Sequence, residues 1–175
     1  DVDLGGNKIM QVYETSHRVP TLACCIYEQR SKVRQDFCHL SHMEISARIS
    51  AGDDMLQTER VPLLAYTADS RVDVLDQNPD MLKAQTLVCE CSELDHCLTY
   101  DPNAQDVESQ KSHINIVSLA KRVEKFQGSH LVLGHFPLKY AKCDLQAFLL
   151  PRLPKDQRAK LSVLPYGYEP PADNT

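Results

Sequence analysis

No run of apolar residues in the 175-residue chain approaches the roughly 20 needed to cross a bilayer, so a membrane-spanning role has no support. A surplus of cations is missing too. Lys and Arg number 19 against 24 Asp and Glu, for a formal net charge of −5, which excludes a surface coated with phosphate-binding residues. Contact with a nucleic acid would have to rest on a local patch. The candidates are Lys121, Arg122 and Lys125, and Arg152, Lys155, Arg158 and Lys160, all of which also read as solvated helix faces. The chain opens on Asp1-Val2-Asp3 with no initiator Met, charged n-region or apolar h-region, so neither a secretory signal nor a transit peptide is visible and the expectation is a piece cut from something longer. Seven cysteines are an odd number without the spacing of a small disulfide scaffold. Cys24-Cys25 and Cys89-Glu90-Cys91 sit in apolar runs where thiols act as small hydrophobes, pointing to a reducing, intracellular compartment. That compartment is cytoplasmic, or organellar if a transit peptide has been removed. No internal repeat is found.

What is present is ordinary globular material, 42% apolar and 25% charged, long enough for one domain with a core. Residues 8–16 alternate as a strand and residues 20–27 form a second β-rich run, with His17 in the turn between them. Residues 28–60 become polar and aperiodic and read as a long connection or surface insertion. Residues 63–67 and 86–91 are short buried-strand runs, each delivering a carboxylate at its end. Between them residues 72–83 can form a helix that the Asn78-Pro79 step breaks or restarts. Ile116, Val117, Ala120, Val123 and Phe126 recur at helical spacing, with Ser112 as N-cap, and Gly128 punctuates before a third buried strand at residues 131–134. Helices are expected at residues 141–149 and 155–161, followed by a Pro-rich tail. The alternation predicts an α/β layered domain over residues 1–150, with the polar insertion at 28–60 and a helix and tail at 151–175.

His17, Asp69, Glu90, His113 and His135 each fall at a strand edge or a helix start, where sites form in α/β sheets. Imidazole and carboxylate are donors suited to zinc, and a carboxylate can bridge two ions, so a hydrolytic metal site is the natural chemical reading. Each of these residues also has a plainer role open to it: helix cap or turn former for Asp69 and Glu90, packing for His135. His39, His42, His96 and His130 read as surface or packing residues. The Cys–His neighbours Cys38-His39 and His96-Cys97 do not have zinc-finger spacing.

Four blocks then resemble ribonuclease Z, the tRNA 3′-end endonuclease of the metallo-β-lactamase superfamily. Val12-Tyr13-Glu14-Thr15-Ser16-His17 is similar to the family segment in which a ligand His follows a strand. Ala68-Asp69-Ser70 is similar to its Gly-Asp-Thr motif, Glu90-Cys91-Ser92 to its Glu-Ala-Thr motif, and Leu133-Gly134-His135-Phe136-Pro137-Leu138-Lys139-Tyr140 to its Leu-Thr-His-Phe-Ser-x-Arg-Tyr motif. His113 matches the position of the second acid/base residue, opening the helix before the last strand. The resemblance implies the C-terminal half of an αββα sandwich. It further implies that His17 and His135 each ligate one of two zinc ions, that Asp69 bridges them, and that Glu90 and His113 form the acid/base pair that protonates a leaving 3′ oxygen. RNA, in particular precursor tRNA, is the implied substrate, and a homodimer the implied assembly.

The family's His-x-His-x-Asp-His signature, which supplies most of the metal ligands, occurs nowhere in the 175 residues. A complementary N-terminal half is therefore expected for full activity, and the family's substrate-gripping arm is expected in that half. Ala68 stands for Gly in a turn meant for Gly, and Ser70 keeps the hydroxyl of Thr. Two other functions compete: a noncatalytic scaffold subunit of a ribonucleoprotein or other assembly, and a small-ester or lactone hydrolase of the same fold.

Overall fold

The computed structural model describes residues 1–94, 100–103 and 113–164. Seven strands lie in one sheet in chain order: β1 (Val2–Gly5), β2 (Lys8–Glu14), β3 (Leu22–Val33), β4 (Leu56–Tyr66), β5 (Thr86–Glu90), β6 (His130–Gly134) and β7 (Leu161–Val163). The first four form an antiparallel meander and β4 to β7 run parallel. Antiparallel neighbours need only tight turns, whereas parallel ones need crossovers. The crossovers carry α2 (Asp73–Gln77), α3 (Ile116–Val123) and α4 (Leu145–Leu149).

These helices cover one face of the sheet and create the core there. Ala23, Cys25, Ala65, Leu87, Leu131 and Leu133 point into it and meet Leu75, Met81, Ile116, Leu119 and Val123. The alternation is visible along β5, where Leu87 and Cys89 are buried while Thr86 and Val88 are half-buried. Burial also pushes the Cys25 thiol up to about 11 and the Cys89 thiol higher still, so both stay protonated and pack as small hydrophobes. Gly128 lets the chain pass close to its neighbours. A Cβ there would lie 2.1 Å from the Ala84 carbonyl oxygen. The opposite face is less covered: Cys24, Ile26, Leu64, Val88 and Val132 are half-buried, and Leu22, Tyr66 and Leu164 are exposed.

The stretch at residues 28–60 differs from its expectation. It is an arm: β3 and β4 continue as a paired hairpin from Tyr27↔Pro62 out to Val33↔Leu56, closed by α1 (His42–Ser50). Its polar sequence hid the strands because both faces are wet, so no period of two is imposed. Arg30, Ser31 and Lys32 are exposed in succession, as are all residues from Leu56 to Arg60. A paired, water-exposed arm thus stands where a long connection or surface insertion was expected. α1 starts at a capping box, Ser41 receiving the Glu44 backbone N–H while the Glu44 carboxylate accepts from the Ser41 backbone N–H.

Three further expectations change. The helix expected at residues 155–161 is a turn, then a 3-10 segment at Arg158–Lys160, then strand β7, whose three residues are too few to leave a periodic signature. The helix at 141–149 shortens to α4. The expected N-cap Ser112 lies outside the described residues; Asn115 caps α3 by accepting the Val117 N–H at 2.8 Å, so His113 sits in the lead-in rather than on the helix. The break at Asn78-Pro79 is as expected, separating α2 from a 3-10 turn at Pro79–Lys83. β1, a strand of four exposed residues, had no apolar pattern to announce it.

Candidate active site at the strand ends

Parallel strands end together. The C-terminal ends of β4, β5 and β6 form one sheet edge, and because β2 and β3 are antiparallel to their neighbours, the loop joining them, residues 15–21, reaches the same edge. His17, Asp69, Glu90 and His135 are delivered there by four separate chain segments. His113 joins them from the lead-in to α3, which a parallel bridge between Glu93 and Asn115 holds beside the exit of β5.

The local backbone is built for this. β4 leaves through Ala68 at φ 52°, and β6 leaves through His135 itself at φ 58°, both in the left-handed region that L-residues avoid. Ala68 confirms that this is a turn suited to glycine. The β2–β3 loop is tied to the Asp69 turn by a Thr15–Thr21 hydroxyl pair, by Thr21 Oγ1 donating to the Asp69 carbonyl at 2.7 Å, and by the Arg71 N–H donating to the Ser16 carbonyl at 3.2 Å. Thr67, fully buried, accepts the Glu90 N–H and so aligns the ends of β4 and β5.

Glu90 is the hub. Its side chain is only 2% exposed, and a buried carboxylate is costly unless its oxygens are satisfied. They are: Oε1 accepts the Ser70 N–H at 3.0 Å and His113 Nδ1 at 2.9 Å, while Oε2 accepts the Ser92 hydroxyl at 2.7 Å. A carboxylate on Nδ1 holds the His113 ring in one tautomer and leaves Nε2 as the nitrogen that can exchange a proton. His17 and His135 flank that ring, with centroids 5.0 and 5.3 Å away. Nδ1 of His135 lies 3.5 Å from Asp69 Oδ1 and 3.7 Å from Glu90 Oε2, and His135 and Asp69 are open to solvent where Glu90 is not.

All five residues singled out in the sequence therefore gather at one edge. Ser92 was noted there only as part of a motif, yet it touches both Glu90 and His135; a hydroxyl two residues beyond a strand-end carboxylate was the available signal. Glu90, His113 and His135 each present one donor atom within 4.8 Å of the others. The donor types fit zinc. Glu90 also spends its oxygens on hydrogen bonds from Ser70, His113 and Ser92.

No protein-family model matches the chain. In sequence it is 26% identical over 161 residues to tRNase Z TRZ1 of Arabidopsis thaliana, covering 91% of this chain and 55% of the relative. It is 24% identical over 168 residues to the chloroplastic tRNase Z TRZ2 of the same plant, covering 95% of this chain and 46% of the relative. Among solved structures it is similar to the metallo-β-lactamase fold protein YhfI from Bacillus subtilis, with a TM-score of 0.52 and 17% identity over 94% of this chain and 50% of that one. The chain spans about half the length of each of these proteins. No helix among the described residues is long and apolar enough to cross a membrane. The chain has the metallo-β-lactamase fold, in a portion corresponding to half of it, and its sequence resembles ribonuclease Z.

Proposed function

We propose that this chain is the C-terminal half of a metal-dependent phosphodiesterase that processes the 3′ end of precursor tRNA. The observation that carries the reading is the buried Glu90–His113 pair at 2.9 Å, set beside His17, Asp69 and His135 on one strand edge. In this reading His17 and His135 would each hold one zinc ion and Asp69 would be shared by both, and the ions, when bound, would supply Lewis-acid stabilisation of the phosphate's charge. His113, oriented by Glu90 through Nδ1–H, acts as an imidazolium that gives its Nε2 proton to the leaving 3′ oxygen and returns to the neutral Nδ1–H ring. Three ligands shared by two ions are too few, since a catalytic zinc takes about three protein ligands of its own. The remaining donors come from the other half of the fold, and the partly open sheet face that borders the site is where a second layer fits.

The test uses the natural full-length protein with zinc or manganese and a precursor tRNA. Cleavage at the 3′ end is expected, abolished by a chelator and lowered about 10²–10⁴-fold by His113→Ala, the usual contribution of a general acid. Full-length protein that holds metal yet leaves precursor tRNA intact would sink the reading in favour of a scaffold, while hydrolysis of model esters with indifference to RNA would replace it with a small-ester hydrolase.

A further inference from the structure

Ser92 lies outside every role assigned so far, yet its hydroxyl has three partners. Oγ is 2.7 Å from Glu90 Oε2, 2.8 Å from the His135 carbonyl oxygen and 2.9 Å from His135 Nδ1. A serine hydroxyl has one proton to donate and two lone pairs. Both oxygen partners can only accept, the carboxylate as an ionised acceptor being the stronger. If the one proton were aimed at Nδ1, Oγ would turn lone pairs on two acceptor oxygens at less than 3 Å. The proton therefore goes to one of the oxygens or is split between them, and of the contacts that remain, the one with Nδ1 becomes a hydrogen bond only if Nδ1 carries a hydrogen and donates it to Oγ.

We infer that Ser92 is a positioning residue that fixes His135 in its Nδ1–H tautomer, so that Nε2 keeps the lone pair available to a metal ion. The chain Nδ1–H to Ser92 to Glu90 is the kind of outer contact that orients ligating imidazoles. It makes Glu90 the common anchor of both rings, directly for His113 and through Ser92 for His135. The inference about the tautomer stands on the hydrogen-bond geometry; its consequence for metal binding rests on the ligand role proposed above for His135.

The two parts separate experimentally. Long-range ¹H–¹⁵N correlation spectra of the ¹⁵N-histidine-labelled protein without metal, at a pH where the rings are neutral, should show His135 as the Nδ1–H form. Ser92→Ala should move His135 towards the Nε2–H form while His113 keeps its own pattern, and Ser92→Thr, which retains the hydroxyl, should restore the wild-type signature. An Nε2–H His135 in the wild type, or one indifferent to Ser92→Ala, would overturn the inference. Zinc titration supplies the second readout: Ser92→Ala should weaken affinity about 10–100-fold, with Ser92→Thr close to wild type. A tautomer that follows Ser92 with zinc affinity unmoved supports the positioning of the ring and overturns its role as a ligand.

Discussion

The outer end of the β3–β4 hairpin and the parallel strands β4 to β7 belong to one sheet but are held by different forces. In the parallel part every strand lays apolar side chains under the crossover helices, and Leu87, Leu131, Leu133 and Leu119 are fully buried. Along the outer hairpin, by contrast, the side chains meet water on both faces and pair with each other: Arg30 with Glu28, Lys32 with Glu59, Arg34 with Asp36 and Asp54. Burying a leucine side chain contributes about 1.5–3 kcal/mol, whereas an exposed ion pair contributes roughly 0–1 kcal/mol. The arm is thus held by backbone pairing and its stem, and its surface is free to vary in sequence without loss of the fold. The strand-end site sits on the buried-core side of this division.

The comparison breaks if the two regions respond alike to substitution. Leu131→Ala, which opens a cavity between β6 and α3, should cost about 2–5 kcal/mol in urea unfolding; a loss under 1 kcal/mol would mean the parallel half is not the stable core. Ala68→Gly should act the other way, raising stability by about 0.5–1 kcal/mol, because glycine takes a positive φ without the clash a Cβ brings. A double-mutant cycle of Lys32→Ala and Glu59→Ala on the arm should return a coupling of about 0.5 kcal/mol or less, and a value above 1.5 kcal/mol would refute the picture of the arm as weakly bound by charge. The subtlest effect concerns α1. Hydrogen bonds from Ser41 hold the Glu44 carboxyl below its usual range, so this cap is fully present above the unfolded-state value and is lost as pH falls through the lower folded value. Amide shifts of α1 should titrate in that acidic window, and Ser41→Ala should remove the response.

The sequence showed the parallel half more plainly than the arm for the same physical reason. A strand buried on one side or a helix on a core must repeat its apolar residues, which is why β5, β6 and α3 could be read from Leu87, Leu131 and Ile116. The arm buries almost nothing and has no repeat to read, and β1 and β7 are too short to show one. The site was legible through its motifs, since His17, Asp69, Glu90 and His135 all stand next to recognisable strands. Ser92 was harder. Its importance comes from a hydroxyl with three partners within 3 Å, two of them on His135, and that depends on distances across the chain rather than on neighbours along it.

The left-handed residues at the exits of β4 and β6 set backbone comfort against side-chain identity. A non-glycine residue in this region costs on the order of 1 kcal/mol, and His135 carries that cost at the strand end where it meets Ser92 and Asp69. Glycine at position 135 would make a calmer turn and an empty site. On backbone grounds alone glycine would therefore be favoured at position 135, and the imidazole is held there at a cost to the fold.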